Sequence, residues 1–272
     1  MESPQAHKYF DSRDRDPCQH NVPWVGVIGG MGTAAGIYFE QLFLEVCSRK
    51  LLHEDQSYPQ WVYFNASNIP DRTKAIRGEA PDCTPALINV LKKAQSIGIL
   101  AVVVACNTAH YYYQKVIEKV PIPWVHLQYE TARYIGMMFP GMRQVGILAT
   151  DGTLYARLYD QAFSKVGIES LELSLDSKVQ QNVMRAIYDQ EFGLKHTGGV
   201  ASMQAQELVR EAIEKLNAPL VVAGCSELSM AFAQMNIGIP WIDPMKIAAE
   251  VLFDVWAGNR IPSSLLLEFE EK

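Results

Sequence analysis

The sequence predicts an α/β protein made of two pseudo-symmetric, doubly wound parallel-sheet domains, with the active site in the cleft between them. The first observation behind this is internal repetition. Val25-Gly26-Val27-Ile28, running into Gly32-Thr33, is echoed by Val145-Gly146-Ile147-Leu148, running into Gly152-Thr153. One apolar run ends in Cys106 and a second ends in Cys225, while Ile122-Pro123-Trp124-Val125 returns as Ile239-Pro240-Trp241-Ile242. The copies keep their order at a spacing of about 120 residues, the mark of one structural unit used twice. The second observation is that short continuous apolar runs alternate with helix-length segments, as expected for parallel strands covered on both faces. The third is that both cysteines and the turns 29–33 and 150–153 fall at the carboxyl ends of predicted strands. Open α/β sheets bind ligands there.

In chain order, the first unit opens with a strand at 24–28, a glycine-rich turn and a helix at 34–50. A strand at 61–64 runs into the polar loop 65–73. A helix follows at 85–96 with Pro85 in its first turn, where proline is tolerated, and a strand at 99–105 delivers Cys106. The second unit repeats the order with a strand at 144–148, a helix at 154–166 and a strand at 171–175. After the polar, glycine-bearing stretch 189–199 come a helix at 202–216 and a strand at 220–223, which delivers Cys225. A last helix, 244–256, is predicted to pack back on the first unit. The domains are therefore read as 22–127 with 243–272, and 128–242, after a mobile tail at 1–21.

Composition narrows the class. The chain has 272 residues, 49% of them hydrophobic and 20% charged, enough for one large globular domain or two ordinary ones. A net charge of -6 argues against nucleic acid, whose phosphates need a basic footprint. Five cysteines without tight spacing do not form a disulfide framework. The polar start lacks the apolar core of a secretory signal, and no run of 18 apolar residues could span a membrane. The expectation is a cytoplasmic protein with reduced thiols and no membrane partner.

A single buried cysteine is ordinarily core filler, and Cys18, Cys47 and Cys83 are read that way. Cys106 and Cys225 differ because their placement is matched, and each runs into polar groups: Asn107-Thr108 and Ser226-Glu227. A thiol that must lose its proton gains from such donors and from a helix start. Two thiols facing each other across a cleft could take a proton from one side of a carbon and return one on the other. Gly30-Met31-Gly32-Thr33-Ala34-Ala35 fits a dinucleotide fingerprint. However, the second strand closes in Asn65 rather than an acid, and the second copy has Tyr155 at the third glycine position. The stronger reading is a tight turn through which Met31 and Gly32, like Thr150 in the other copy, approach a ligand. Cys106 and His110 are four apart and could share a metal on a helix, but no second ligand pair accompanies them, so no metal is expected. His110 is read instead as a hydrogen-bonding auxiliary group. Arg72, in the loop after Asn65, could clamp a carboxylate; Lys195, between Gly193 and Gly198, is a weaker candidate of the same kind.

The chain resembles the cofactor-independent aspartate/glutamate racemase family. The matching motifs are Gly29-Gly30-Met31-Gly32, Ile69-Pro70-Asp71-Arg72-Thr73, Cys106-Asn107-Thr108-Ala109-His110 and Gly224-Cys225-Ser226-Glu227-Leu228. The likeness covers residues 24–258. Ile69-Pro70-Asp71-Arg72-Thr73 and His110 look more like aspartate racemases than glutamate racemases. Ser226 stands where the family usually has threonine, and Thr33 where proline is usual; both bear on side-chain length specificity. The resemblance implies interconversion of L- and D-aspartate without a cofactor, with Cys225 taking the proton of the L-isomer and Cys106 that of the D-isomer. It also implies Glu227 and His110 as auxiliary acid/base groups, and Asn65, Asn107, Thr108 and Ser226, with Arg72 and Lys195, around an acidic amino acid. A homodimer is implied as well. The alternatives are a glutamate or broad-specificity racemase, a maleate isomerase of the same superfamily, a dicarboxylate-binding protein without catalysis and, more distantly, a nicotinamide enzyme.

Overall fold

The computed structural model describes residues 22–50 and 54–267. The predicted tail 1–21, with Cys18, and the terminal 268–272 lie outside the described residues. The elements run β1 (Trp24–Gly29), α1 (Thr33–Lys50), β2 (Gln60–Asn65), α2 (Arg72–Ile76), α3 (Thr84–Ser96), β3 (Ile99–Val104), α4 (Tyr113–Ile117) and β4 (Trp124–Val125). Then come α5 (Leu127–Met138), β5 (Gln144–Leu148), α6 (Asp151–Tyr155), α7 (Leu158–Ser164), β6 (Glu169–Glu172) and α8 (Lys178–Tyr188). The chain closes with α9 (Met203–Leu216), β7 (Val221–Ala223), α10 (Ser226–Gln234), β8 (Trp241–Ile242) and α11 (Pro244–Trp256).

The strands form two four-stranded parallel sheets with the same order, β2-β1-β3-β4 and β6-β5-β7-β8. The repetition in sequence is therefore a repetition of topology. Alternation along the inner strands sorts their side chains. Val25, Val27, Ala101 and Val103 of one sheet meet Val145, Ile147 and Val222 of the other in a single shared core. Val102, Val104 and Cys106 face an outer cluster of the first lobe, and Val221, Ala223 and Cys225 the matching cluster of the second. Each cysteine thus continues the alternation of its strand.

Helix ends follow local chemistry. Ser202 caps α9 by accepting from Ala205 N–H, Asp243 caps α11 by accepting from Met245 N–H, and Pro244 follows that cap. α11 packs on α1 and β3 of the first sheet and against α5. In the turn after β1, Gly30 has φ +87, and a Cβ there would stand 2.5 Å from Ser67 N. Only glycine meets both demands.

Three readings change. The predicted helix 154–166 is two helices, α6 and α7, because Arg157 takes a left-handed conformation (φ 51) between them. The predicted strand 171–175 is β6, which starts and ends earlier so that Leu171 pairs with Gly146. α5, α8 and α10, with the short α2 and α4, fall where no helix was predicted.

One consequence concerns acidity. Glu172 on β6 is pushed up from 4.5 to about 7 by burial, and the Asp160 carboxylate adds to the shift. The folded chain therefore binds this proton more tightly than the unfolded one. The associated stability is complete below about pH 4.5 and disappears as pH rises through about 7. The loss should be on the order of 2 kcal/mol. Urea unfolding of wild type and Glu172→Gln across this range should show this slope in the difference between the two, the other titrating groups being common to both.

Candidate active site

Equivalent hydrogen bonds place the two sulfurs. Ala105 N–H donates to Ile28 O at 2.9 Å just before Cys106, and Gly224 N–H donates to Leu148 O at 2.8 Å just before Cys225. Both thiols therefore project from the ends of inner strands, which hold a side chain more firmly than free loops do. Beyond them the lobes differ. Cys225 is the residue preceding α10, whereas Cys106 leads through Asn107 into a single 3-10 turn, Thr108–Tyr112.

Both sulfurs line one cavity between the lobes. Met31, Arg72, Cys106, Asn107 and Thr108 come from the first lobe, and Thr150, Tyr188, Lys195, Cys225, Ser226 and Glu227 from the second. The cavity volume is about 10 Å³, room for one water molecule. An amino acid is larger than this cavity. Across the seam, Thr108 Oγ1 lies 3.0 Å from Thr150 Oγ1 and 2.8 Å from Thr153 Oγ1, and Ser226 Oγ donates to Ala105 O at 3.3 Å.

On the Cys225 side, the thiol donates to Glu227 Oε2 at 3.1 Å, and Lys195 Nζ donates to Glu227 Oε1 at 2.5 Å. Burial pushes the Cys225 thiol well above its usual range, and the Glu227 carboxylate pushes it further. Burial also opposes the charge on Glu227, yet Lys195 holds that carboxyl below its usual range. Lys195, expected to reach for a ligand carboxylate, lines the cavity with its ammonium hydrogen-bonded to Glu227. Gly32 lies against this pair, since a Cβ there would be 2.8 Å from Glu227 Oε1.

On the Cys106 side, Arg72 is buried and donates to Pro70 O at 2.9 Å, to Ile69 O at 3.4 Å and to Met31 O. Among the described residues its Nε has no hydrogen-bond partner, and neither has Asn107 Nδ2. These are two buried donors with capacity to spare for an anion. Asn107 is fixed through its oxygen, which accepts from Tyr159 OH at 2.7 Å and from Gln128 Nε2 at 3.3 Å.

Two expected residues sit elsewhere. Asn65 is exposed and does not line the cavity, because β2 is an edge strand, one place further from β3 than β1 is. His110 lies behind Cys106. Its Nδ1 is 2.9 Å from Cys106 O, while Nε2 accepts from Trp124 Nε1 at 3.1 Å and Leu127 N at 3.2 Å. Burial pushes the ring down to about 4, so it is neutral with both nitrogens engaged. Its hydrogen bonds join the Cys106 loop to Trp124 and Leu127. Tyr188 lines the cavity and was missed in the sequence. Its signal was the cap Ser177 followed by Val179, Val183 and Ile187 at helical spacing, which ends a helix on this tyrosine.

Among the described residues, no group of three or more His, Cys, Asp or Glu is placed to hold a metal, and no helix is long and apolar enough to cross a membrane.

Comparison with known proteins agrees with this geometry. The aspartate racemase of Picrophilus torridus superposes with a TM-score of 0.72 at 24% identity, covering 89% of this chain and 97% of that one. The glutamate racemase of Francisella tularensis, solved in complex with D-glutamate, gives 0.60 at 17% identity over 92% of this chain and 85% of its own. These likenesses concern the fold. In sequence, the broad specificity amino-acid racemase RacX of Bacillus subtilis (strain 168) is 21% identical over 220 residues, 80% of this chain and 92% of that protein. The family model for Asp/Glu/Hydantoin racemases matches residues 28–252, most of the chain. With two strand-end thiols on one interlobe cavity and a match of that extent, the chain belongs to the Asp/Glu/Hydantoin racemase family and is an isomerase of the racemase class.

Proposed function

We propose that this enzyme interconverts L- and D-aspartate by a two-base transfer at Cα. The observation that carries the reading is the pair of sulfurs, one from each lobe, bordering the same cavity. Removing the α proton leaves a planar carbanion, so a base and an acid are needed on opposite faces. Cys225 takes the proton from the L-isomer while Cys106 supplies one to the other face, and the roles reverse for the D-isomer. Asn107, Thr108 and Ser226 hold the α-carboxylate, where charge accumulates as the proton departs. Arg72 faces the side-chain carboxylate through its unpartnered Nε. The proposal includes a cytoplasmic homodimer divided at 22–127 with 243–272 and 128–242.

Wider acceptance is the second reading. It is favoured by the likeness to a broad specificity racemase and by the Arg72 donors already spent on backbone carbonyls. Chiral chromatography of L-aspartate, L-glutamate, L-alanine and L-lysine incubated in D₂O separates the two. Aspartate should lead in kcat/KM by about tenfold or more, since a site built for a polar group discriminates strongly against its absence. Equal turnover of alanine or lysine rejects the aspartate reading.

A further inference from the structure

We propose that Gln128 is a positioning residue for the reaction. It fixes the side-chain amide of Asn107 so that the nitrogen, not the oxygen, is presented to the substrate's α-carboxylate. The inference rests on the racemase reading above and deepens it, by giving a residue outside the cavity control over one that lines it.

The two ends of an asparagine amide have nearly the same shape, so turning it over exchanges donor for acceptor without changing the packing. Gln128, the second residue of α5, is fully buried and does not line the cavity. Its Nε2 lies 3.2 Å from the main-chain O of Asn107 and 3.3 Å from Oδ1 of the same residue. A main-chain carbonyl oxygen only accepts, and it cannot turn over. It therefore dictates that Gln128 shows Asn107 its NH₂ group and not its oxygen. That NH₂ in turn dictates an oxygen at the near end of the Asn107 side chain. Reversing either amide would set like against like in the interior, where unmatched polar groups are costly.

Tyr159 of α7 holds the same oxygen, its OH donating at 2.7 Å. A phenol can donate or accept, so Tyr159 would hold either orientation and does not choose between them. The choice falls to Gln128. The start of α5 is itself tied to the Cys106 loop, since Leu127 N–H donates to His110 Nε2 at 3.2 Å. Among the described residues, Gln128 Oε1 is buried without a hydrogen-bond partner, a local cost of this arrangement. In return Asn107 Nδ2 is left free of protein acceptors, on a residue of the cavity wall. A donor fixed in advance where carboxylate charge will build needs no reorientation during the reaction.

The test combines turnover with a binding probe that needs none, succinate, titrated calorimetrically into the full-length protein. Gln128→Leu keeps a similar volume and removes both polar atoms of the amide. Its kcat/KM for L-aspartate should fall, and its Kd for succinate rise, by about tenfold, the low end of what a hydrogen bond to a charged group contributes. Tm should hold or rise, because the unpartnered Oε1 is removed as well. In an Asn107→Ala background the same substitution should change neither value, since a residue acting through Asn107 has nothing left to position. A merely structural role would carry its loss into that background. Asn107→Asp reads the polarity directly: it keeps an oxygen toward Gln128 and Tyr159 and puts a second oxygen where Nδ2 stood. It should bind succinate at least as weakly as Asn107→Ala.

Wild-type kcat/KM and succinate affinity in folded Gln128→Leu overturn the proposal. So does an undiminished loss in the Asn107→Ala background, or wild-type succinate affinity in Asn107→Asp. If Gln128→Leu fails to fold, Asn107→Asp decides alone. A wild type that binds succinate but racemises no amino acid rejects the proposed function, and the succinate affinities still decide the role of Gln128. A wild type that does neither overturns both.

Discussion

Replacing Cys106 or Cys225 by alanine should lower racemisation by about 10³-fold or more, within or above the range of a lost general acid or base. Both sulfurs are needed because neither can reach both faces of one carbon. The remaining thiol can still exchange the α hydrogen of one enantiomer and return it to the same face. Each variant should therefore show slow, one-sided isotope exchange in D₂O without inversion. Folding should survive, since the substitution removes one atom from a site held by backbone bonds at Ala105 and Gly224. Thermal unfolding checks this, so that lost turnover is not mistaken for lost structure. Wild-type racemisation by both variants would remove the sulfur pair from the mechanism.

The second large effect is expected at Gly152, which touches neither sulfur. A Cβ there would stand 2.7 Å from Thr73 Oγ1 and 2.9 Å from both Thr73 Cα and Thr108 Cγ2. One of these contacts is backbone, so a side chain cannot simply rotate away. Gly152→Ala should wedge the lobes apart at the Thr108, Thr150 and Thr153 hydroxyls and displace Arg72, the neighbour of Thr73. Displacement on the order of 1 Å at a reacting site costs about 10² in rate, while overpacking costs about 1–3 kcal/mol of stability. The expected result is kcat/KM down by about 10² with a moderately lower Tm. Gly136→Ala is the control. Its Cβ would meet only Val166 at 3.7 Å, within helix α5, so stability should hold or rise by up to about 1 kcal/mol.

The inner strands and both thiols were legible because a repeat announces itself twice, and the strand ends of a doubly wound sheet form a single ligand face. Arg72 and Asn107 were legible through their motifs. Asn65 misled for a physical reason: it too ends a strand, but sequence does not say which strand lies at the edge. The engagement of Lys195 with Glu227 could not be read, because the partners are 32 residues apart and the pairing exists only once α8, α10 and the loop between α8 and α9 converge. The α6–α7 break hid behind a continuous helical pattern, since nothing about Arg157 as a residue type announces a left-handed backbone. His110 hydrogen-bonds towards the protein rather than the cavity, a direction that depends on Trp124 and Leu127 and that its place in the sequence does not show.

α11 returns from the second sheet to lie on α1 and β3 of the first. The polypeptide consequently crosses between the halves twice, through α5 outbound and into α11 on the return. Two tethers define an axle. When the halves swing open to admit an amino acid, they should do so like a book on its spine, and on closing Cys106 and Cys225 return to the same register each time.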